Sequence, residues 1–175
     1  VQNYVKALEY GVRRLRETPI TLKLICELHE ILLRDVRGGR ACPGSFRSMQ
    51  NYIARGQETA VAQARYVPPP PARLPTALDN FEKYLHAEDE FPPLVRVALL
   101  HYQFEAIHPF IDGNGRIGRL LIPLLLIAWG KLPAPLLYLS AFFERRRQEY
   151  YDHLLAVSQR GEWRAWLEFF MHGVQ

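Results

Sequence analysis

Cysteine is nearly absent from this 175-residue chain. Cys26 and Cys42 are the only two, so no disulfide framework can hold the fold, and their scarcity suits a reducing, cytoplasmic setting. Long hydrophobic runs are missing too. The longest, Leu120 to Trp129, has ten residues, whereas a membrane span needs about 20, so no transmembrane segment is expected. Lysine is also scarce: of 22 basic residues, 4 are Lys and 18 are Arg. Arg presents a rigid fork of donors that suits phosphate and carboxylate. The Arg residues are mostly interleaved with Glu and Asp rather than gathered into a stripe with stacking aromatics, which argues against nucleic acid as the partner. The chain starts at Val1 rather than Met, with no signal-peptide pattern, so a piece of a longer protein is expected. What remains is a globular composition, 49% hydrophobic and 23% charged, at a length that suits one domain over residues 1–175.

The hydrophobic pattern is helical almost throughout. Tyr4, Val5, Leu8, Val12 and Leu15 recur at helical spacing. Thr18-Pro19 reads as the N-cap and first turn of a second helix, which Gly38 and Gly39 would end. Met49–Ala54 and Arg65–Val67 predict two short strands, with Arg55-Gly56-Gln57 starting a loop too long for a tight hairpin. Pro68 to Pro71 must be extended. Helix resumes at Thr76–His86 and again after Pro92-Pro93, where Leu94 to Ile107 is apolar on nearly every side, as in a core-crossing helix. A long helix follows from Gly115 to Trp129, with Pro123 expected to kink it. Phe143–Gln159 and Trp163–His172 predict two more. The expected class is all-α with one small β excursion.

The two central helices are joined by His108-Pro109-Phe110-Ile111-Asp112-Gly113-Asn114-Gly115-Arg116-Ile117-Gly118-Arg119. The proline stops the first helix at His108. Gly113 and Gly115 permit backbone angles that let successive N–H groups point into one concavity at the next helix's N-terminus, where the dipole also favours an anion. Arg116 and Arg119 are one turn apart. Asp112 would repel a bare phosphate but suits a Mg²⁺ ion bridging phosphate oxygens, and His108 supplies a base beside the anion site. Singly, each piece has a plainer reading: a turn, a capping cation, a surface ion pair. Gly113, Gly115 and Gly118 also spell the dinucleotide fingerprint, but a helix precedes them and no acid occurs between Asp112 and Glu144, so that reading fails.

The run from His108 to Arg119 resembles the Fic family motif H-x-F-x-[DE]-G-N-G-R-x-x-R, with every defined position filled. The likeness extends to Tyr4–Leu15, Cys42-Pro43-Gly44-Ser45-Phe46-Arg47, Val67–Pro71 and Tyr138–Tyr151. It implies an all-α, Fic-type helical bundle with a small β-hairpin flap at about residues 49–67. The implied activity is protein AMP transfer from Mg-ATP to a Tyr, Ser or Thr hydroxyl. By the same resemblance His108 is the general base and Asn114 and Arg116 complete the catalytic set. Phe110 is a buried anchor of the nucleotide-binding loop, Asp112 the Mg²⁺ ligand. Gly113, Asn114 and Gly115 form the anion nest, Arg116 and Arg119 clamp phosphates, and Tyr150 and Tyr151 lie near the adenine. The partner would be a target protein docked on the flap.

Within the family, Doc-type kinases carry Lys where this chain has Gly115, so the open glycine favours nucleotidyl transfer. UMP or phosphocholine donors, or a nucleotide-responsive binding module without turnover, are the alternatives. The resemblance also implies restraint by a Glu-bearing helix, [ST]-x-x-x-E-[GN], supplied by a missing segment or an antitoxin partner. Its nearest match here, Ser140–Arg145, lacks the final Gly or Asn. His108 ends a helix, whose dipole raises its pKa, while a nearby Mg²⁺ would lower it. Activity is then expected to rise with pH on a single His108 ionisation between about pH 5.5 and 8.5. Cys26 and His29 have C-x-x-H spacing without a second pair, so core packing is favoured over zinc. His101 reads as a core or supporting histidine.

Overall fold

The computed structural model describes residues 2–34, 42–53, 64–88, 90–134 and 139–174. Among them eight α-helices account for nearly all regular structure: α1 (Gln2–Arg14), α2 (Leu22–Leu33), α3 (Leu74–His86), α4 (Pro93–Ile107), α5 (Asn114–Ala128), α6 (Leu139–Arg145), α7 (Arg147–Arg160) and α8 (Trp163–Val174). A short 3₁₀ turn, Pro71–Arg73, leads from the proline run into α3. The all-α expectation holds.

The antiparallel pair α4 and α5 forms the centre. On one side α1 packs against α2 and α5; on the other, α3, α7 and α8 pack against α4. Side chains of α4 and α5 such as Val97, Leu100, Phe104, Ile117, Leu120 and Leu124 are fully or almost fully enclosed, each adding roughly 1.5–3 kcal/mol of hydrophobic stabilisation. Gly118 lets α4 and α5 approach closely, since a Cβ there would collide with the Glu105 carboxylate and meet Phe104 Cδ1 at 3.3 Å. α5 runs unbroken through Pro123, because tertiary packing on both sides outweighs the lost hydrogen bond.

Three local readings differ from expectation. The cap of α2 is Thr21, whose Oγ1 accepts from Leu24 N at 3.2 Å, because Thr18 is tied back to α1 through its own N–H to Arg14 O at 3.0 Å. The expected Phe143–Gln159 helix is two, broken at Arg146 (φ −112°, ψ 35°), so that Phe143 of α6 and Tyr150 of α7 meet at 4.7 Å. Of the two expected strands, the described residues hold a single antiparallel bridge, Ile53 with Tyr66. Residues 54–63, including the expected Arg55-Gly56-Gln57 loop, lie outside the described residues, as do Gly38, Gly39 and Tyr138.

Candidate active site

α4 ends where His108 takes a left-handed conformation, φ 49° and ψ 60°, its N–H bonded to Phe104 O at 3.0 Å. A non-glycine residue held there costs on the order of 1–3 kcal/mol, so neighbouring contacts must impose it. Phe110 is one such contact. Its ring is fully buried and stacks on His29 with centroids 3.7 Å apart. Asn114 closes the loop from the other side: Oδ1 accepts from Phe110 N and Nδ2 donates to Phe110 O, both at 2.8 Å. Gly113, at φ 83°, turns the chain into α5 and donates to Asp112 Oδ1 at 2.6 Å.

Both imidazoles bordering the loop have assignable tautomers. At His29, Gly44 N–H donates to Nδ1 at 3.0 Å, so the proton must be on Nε2, which faces Asp112 O at 2.9 Å. At His108, Nδ1 faces the Glu105 carbonyl at 3.3 Å. A carbonyl only accepts, so Nδ1 carries the proton and Nε2 keeps its lone pair. Burial pushes the His108 pKa down to about 4, helped by the Arg47 charge and opposed by the Glu105 carbonyl and Asp112. The helix-dipole expectation is therefore overturned: desolvation outweighs the C-terminal dipole, and His108 is neutral well below neutral pH.

His108 opens into a cleft of about 910 Å³, lined also by Asp112, Gly113–Arg116, Arg119, Tyr150 and Tyr151. The N-cap of α5, Gly113, offers no side-chain cap, so first-turn N–H groups of α5 face an anion-ready space. Arg116 Nη2 pairs with Asp112 Oδ2 at 3.1 Å. Arg119 makes no ion pair among the described residues, and its Nη1 lies 3.2 Å from where a Cβ on Gly115 would sit. A lysine at 115 would crowd that guanidinium. Tyr150 is buried, its hydroxyl 2.8 Å from His101 Nε2, while Tyr151 is partly exposed.

The structure thus brings together His108, Asp112, Gly113, Gly115, Arg116, Arg119, Tyr150 and Tyr151. Phe110 and the Asn114 side chain are directed into the loop instead and brace it. Glu144, in the nearest match to the restraining pattern, is exposed on α6 and does not line the cleft. Sequence reasoning missed Glu105, the single acid of α4, which is 6% exposed with Oε1 lacking a partner and borders the cleft. Burial raises its pKa to about 7 against the pull of Arg119. It also missed Arg47, and it left His29 as core packing when both its nitrogens hold the loop. No group of three His, Cys, Asp or Glu suited to a metal occurs among the described residues. Asp112, with an exposed carboxylate at the cleft mouth, is the hard oxygen donor that fits Mg²⁺ when a ligand's phosphates supply the rest.

Fold and loop together define a helical-bundle domain with a neutral histidine set beside an uncapped helix N-terminus and two arginines. The sequence model of the Fic/DOC family matches residues 19–126. The protein adenylyltransferase Fic of Drosophila grimshawi is 34% identical over 157 residues, covering 89% of this chain and 29% of that protein. The same-named protein of Culex quinquefasciatus is 34% identical over 152 residues, 86% of this chain and 27% of its own length. A Fic family protein from Desulfovibrio desulfuricans superposes with a TM-score of 0.78 at 27% identity, covering 98% of this chain and 50% of that one. The chain belongs to the Fic/DOC family. It spans less than a third of the length of the named insect relatives.

Proposed function

We propose that this domain transfers AMP from Mg-ATP to a Tyr, Ser or Thr hydroxyl of a target protein. The observation that carries the reading is the state of His108: proton on Nδ1, lone pair on Nε2, pKa pushed down to about 4, in the same cleft as the open N-terminus of α5. The adenylyltransferase names of the insect relatives support the choice of reaction.

In this reading His108 Nε2 takes the proton of the attacking hydroxyl. The hydroxyl oxygen bonds to the α-phosphorus, the bond to the bridging oxygen of the β-phosphate breaks, and pyrophosphate leaves with the electron pair. The first-turn N–H groups of α5 hold the transferred phosphate, and Arg116 and Arg119 hold the outer two, so positioning and charge stabilisation lower the barrier. Asp112 would hold Mg²⁺, which supplies charge neutralisation at phosphate oxygens when bound. Tyr150 and Tyr151 form the adenine side of the cleft. The flap at residues 49–67 docks the target, and a Glu-bearing helix from another segment or an antitoxin competes with ATP for Arg119. Residues 1–175 act as one unit, and unpaired Cys26 and Cys42 suit a cytoplasmic setting.

Intact-mass spectrometry after incubation with Mg-ATP tests the reaction, since a Fic domain without restraint can modify itself. A gain of one AMP unit that His108→Ala lacks is the expected result. UMP and CDP-choline run in parallel separate the other donors. Nucleotide binding with no mass gain from any donor, with or without candidate targets, would replace the enzyme by a nucleotide-responsive binding module. Among the described residues no helix is long and apolar enough to cross a membrane.

A further inference from the structure

The last carbonyls of a helix have no partners within it. At the end of α4 one segment, residues 47–66, supplies them all. Tyr66 Oη donates to Ala106 O at 3.0 Å, and Arg47 Nη2 lies 3.3 Å from Ile107 O. Arg47 Nε donates to His108 O at 2.9 Å, and its backbone N–H to Pro109 O at 2.9 Å. Asn51 Nδ2 donates to Phe110 O at 2.9 Å. Five consecutive carbonyls, centred on His108, are therefore held by the base of the flap.

Arg47 is the hub of this set. Besides the His108 loop, its guanidinium donates to Met49 O at 3.2 Å and Pro69 O at 2.6 Å, one on each side of the flap. The side chain is 4% exposed and has no acidic partner among the described residues. A buried guanidinium is retained here by carbonyls alone, at the negative end of the α4 dipole. Only the planar fork reaches acceptors in both directions; lysine has one nitrogen on a flexible stem. Arg47 stands outside the cleft and lines a groove on another face, with Leu22, Phe46 and Pro71.

We infer that Arg47 is a positioning residue that joins the flap to the His108 loop, so that docking a target on the flap and orienting the histidine toward the target hydroxyl are one mechanical event. The inference rests on the proposed reaction for its kinetic consequence. It does not need that reaction for its structural one, because the shared hydrogen bonds exist without any ligand.

Two variants test it, Arg47→Met, which keeps length without donors, and Arg47→Lys, which keeps the charge without the fork. Hydrogen exchange is followed over residues 49–53, 64–69 and 106–110, AMPPNP affinity by calorimetry, and transfer by intact mass. Because small displacements of a reacting group cost about 100-fold, Arg47→Met should slow transfer by about that factor, with AMPPNP affinity held within about twofold. Protection should fall together in the flap base and the loop, and Arg47→Lys should show the same split to a lesser degree. The inference is overturned if exchange rises only around residue 47, or if AMPPNP affinity falls in step with the rate. If Arg47→Met does not fold, Arg47→Lys decides by the same criteria. A wild-type chain that transfers nothing would sink the proposed reaction, and the exchange measurement would still decide the role of Arg47.

Discussion

The imidazole of His29 lies flat on the ring of Phe110, centroids 3.7 Å apart and planes 9° apart. It joins α2 to the motif loop, because the same ring accepts from Gly44 N–H and donates to the Asp112 carbonyl. Replacing His29 by Ala removes a fully buried ring and leaves two backbone polar groups without partners. The expected loss is about 2–4 kcal/mol in denaturant unfolding. Transfer should suffer as well, since Asp112 and Phe110 lose their common support. A variant as stable as wild type would show that the stack is incidental.

Stability should fall on the acid side. Burial lowers the pKa of His29, that of His101 to about 3 and that of His108 to about 4. Unfolded histidine titrates near 6.5, so as pH falls below about 6.5 the unfolded chain binds protons that the folded chain refuses. Glu105 runs the other way. Raised from 4.5 to about 7, it holds a proton in the fold that the unfolded chain has lost between those values, so its contribution declines as pH rises through that window. Three histidines outweigh one glutamate below pH 6.5, and the wild type should be most stable near neutrality. Glu105→Gln cannot ionise, so its stability relative to wild type should improve from pH 5 to pH 8 in chemical denaturation. A constant difference would mean that Glu105 is an ordinary carboxylate.

Periodicity was enough to locate α3, α4, α5 and α8, because their apolar faces are wide and prolines or glycines mark their ends. The break at Arg146 carries no such mark; it arises because Phe143 and Tyr150 enter one aromatic cluster from two directions, which no local pattern encodes. At the site, the motif spacing exposed His108, Asp112 and the two arginines, since those side chains share a dozen residues. Arg47 and His29 were opaque for the opposite reason. Their partners are backbone carbonyls and amides 15 to 83 positions away, and a backbone acceptor leaves no signature in sequence. Glu105 was visible as the only acid in α4, but its isolation became informative only once Oε1 was seen to lack a partner.

With its pKa pushed down to about 4, His108 should be a competent base across the range from about pH 5.5 to 8.5. Single-turnover transfer is then expected to be flat there and to fall below about pH 5. This replaces the rise that the helix dipole alone would give. The group that changes charge near neutrality is Glu105, at about 7, beside Arg119. Its ionisation adds a negative charge next to the phosphate clamp, so AMPPNP affinity should weaken as pH rises through 7. Glu105→Gln should abolish that dependence. A neutral-range break in the transfer rate that survives Glu105→Gln would return the titration to His108.

Gly118 tests how tightly the two central helices set the site. A Cβ at 118 would strike the Glu105 carboxylate and sit 3.2 Å from His101 Cε1 and 3.3 Å from Phe104 Cδ1. Alanine is otherwise the better helix former by about 1 kcal/mol, so a site with slack would gain stability from Gly118→Ala. Overpacking should win here, with a net loss of about 1–3 kcal/mol, because His101 and Phe104 are enclosed and cannot withdraw. Shortening the colliding side chain separates the two effects. In the double variant Gly118→Ala, Glu105→Ala, most of the loss should return, and a double-mutant cycle in denaturant would measure the coupling. Strict additivity would mean that the helices part without involving Glu105, and the carboxyl would not be wedged between α4 and α5 as its position implies.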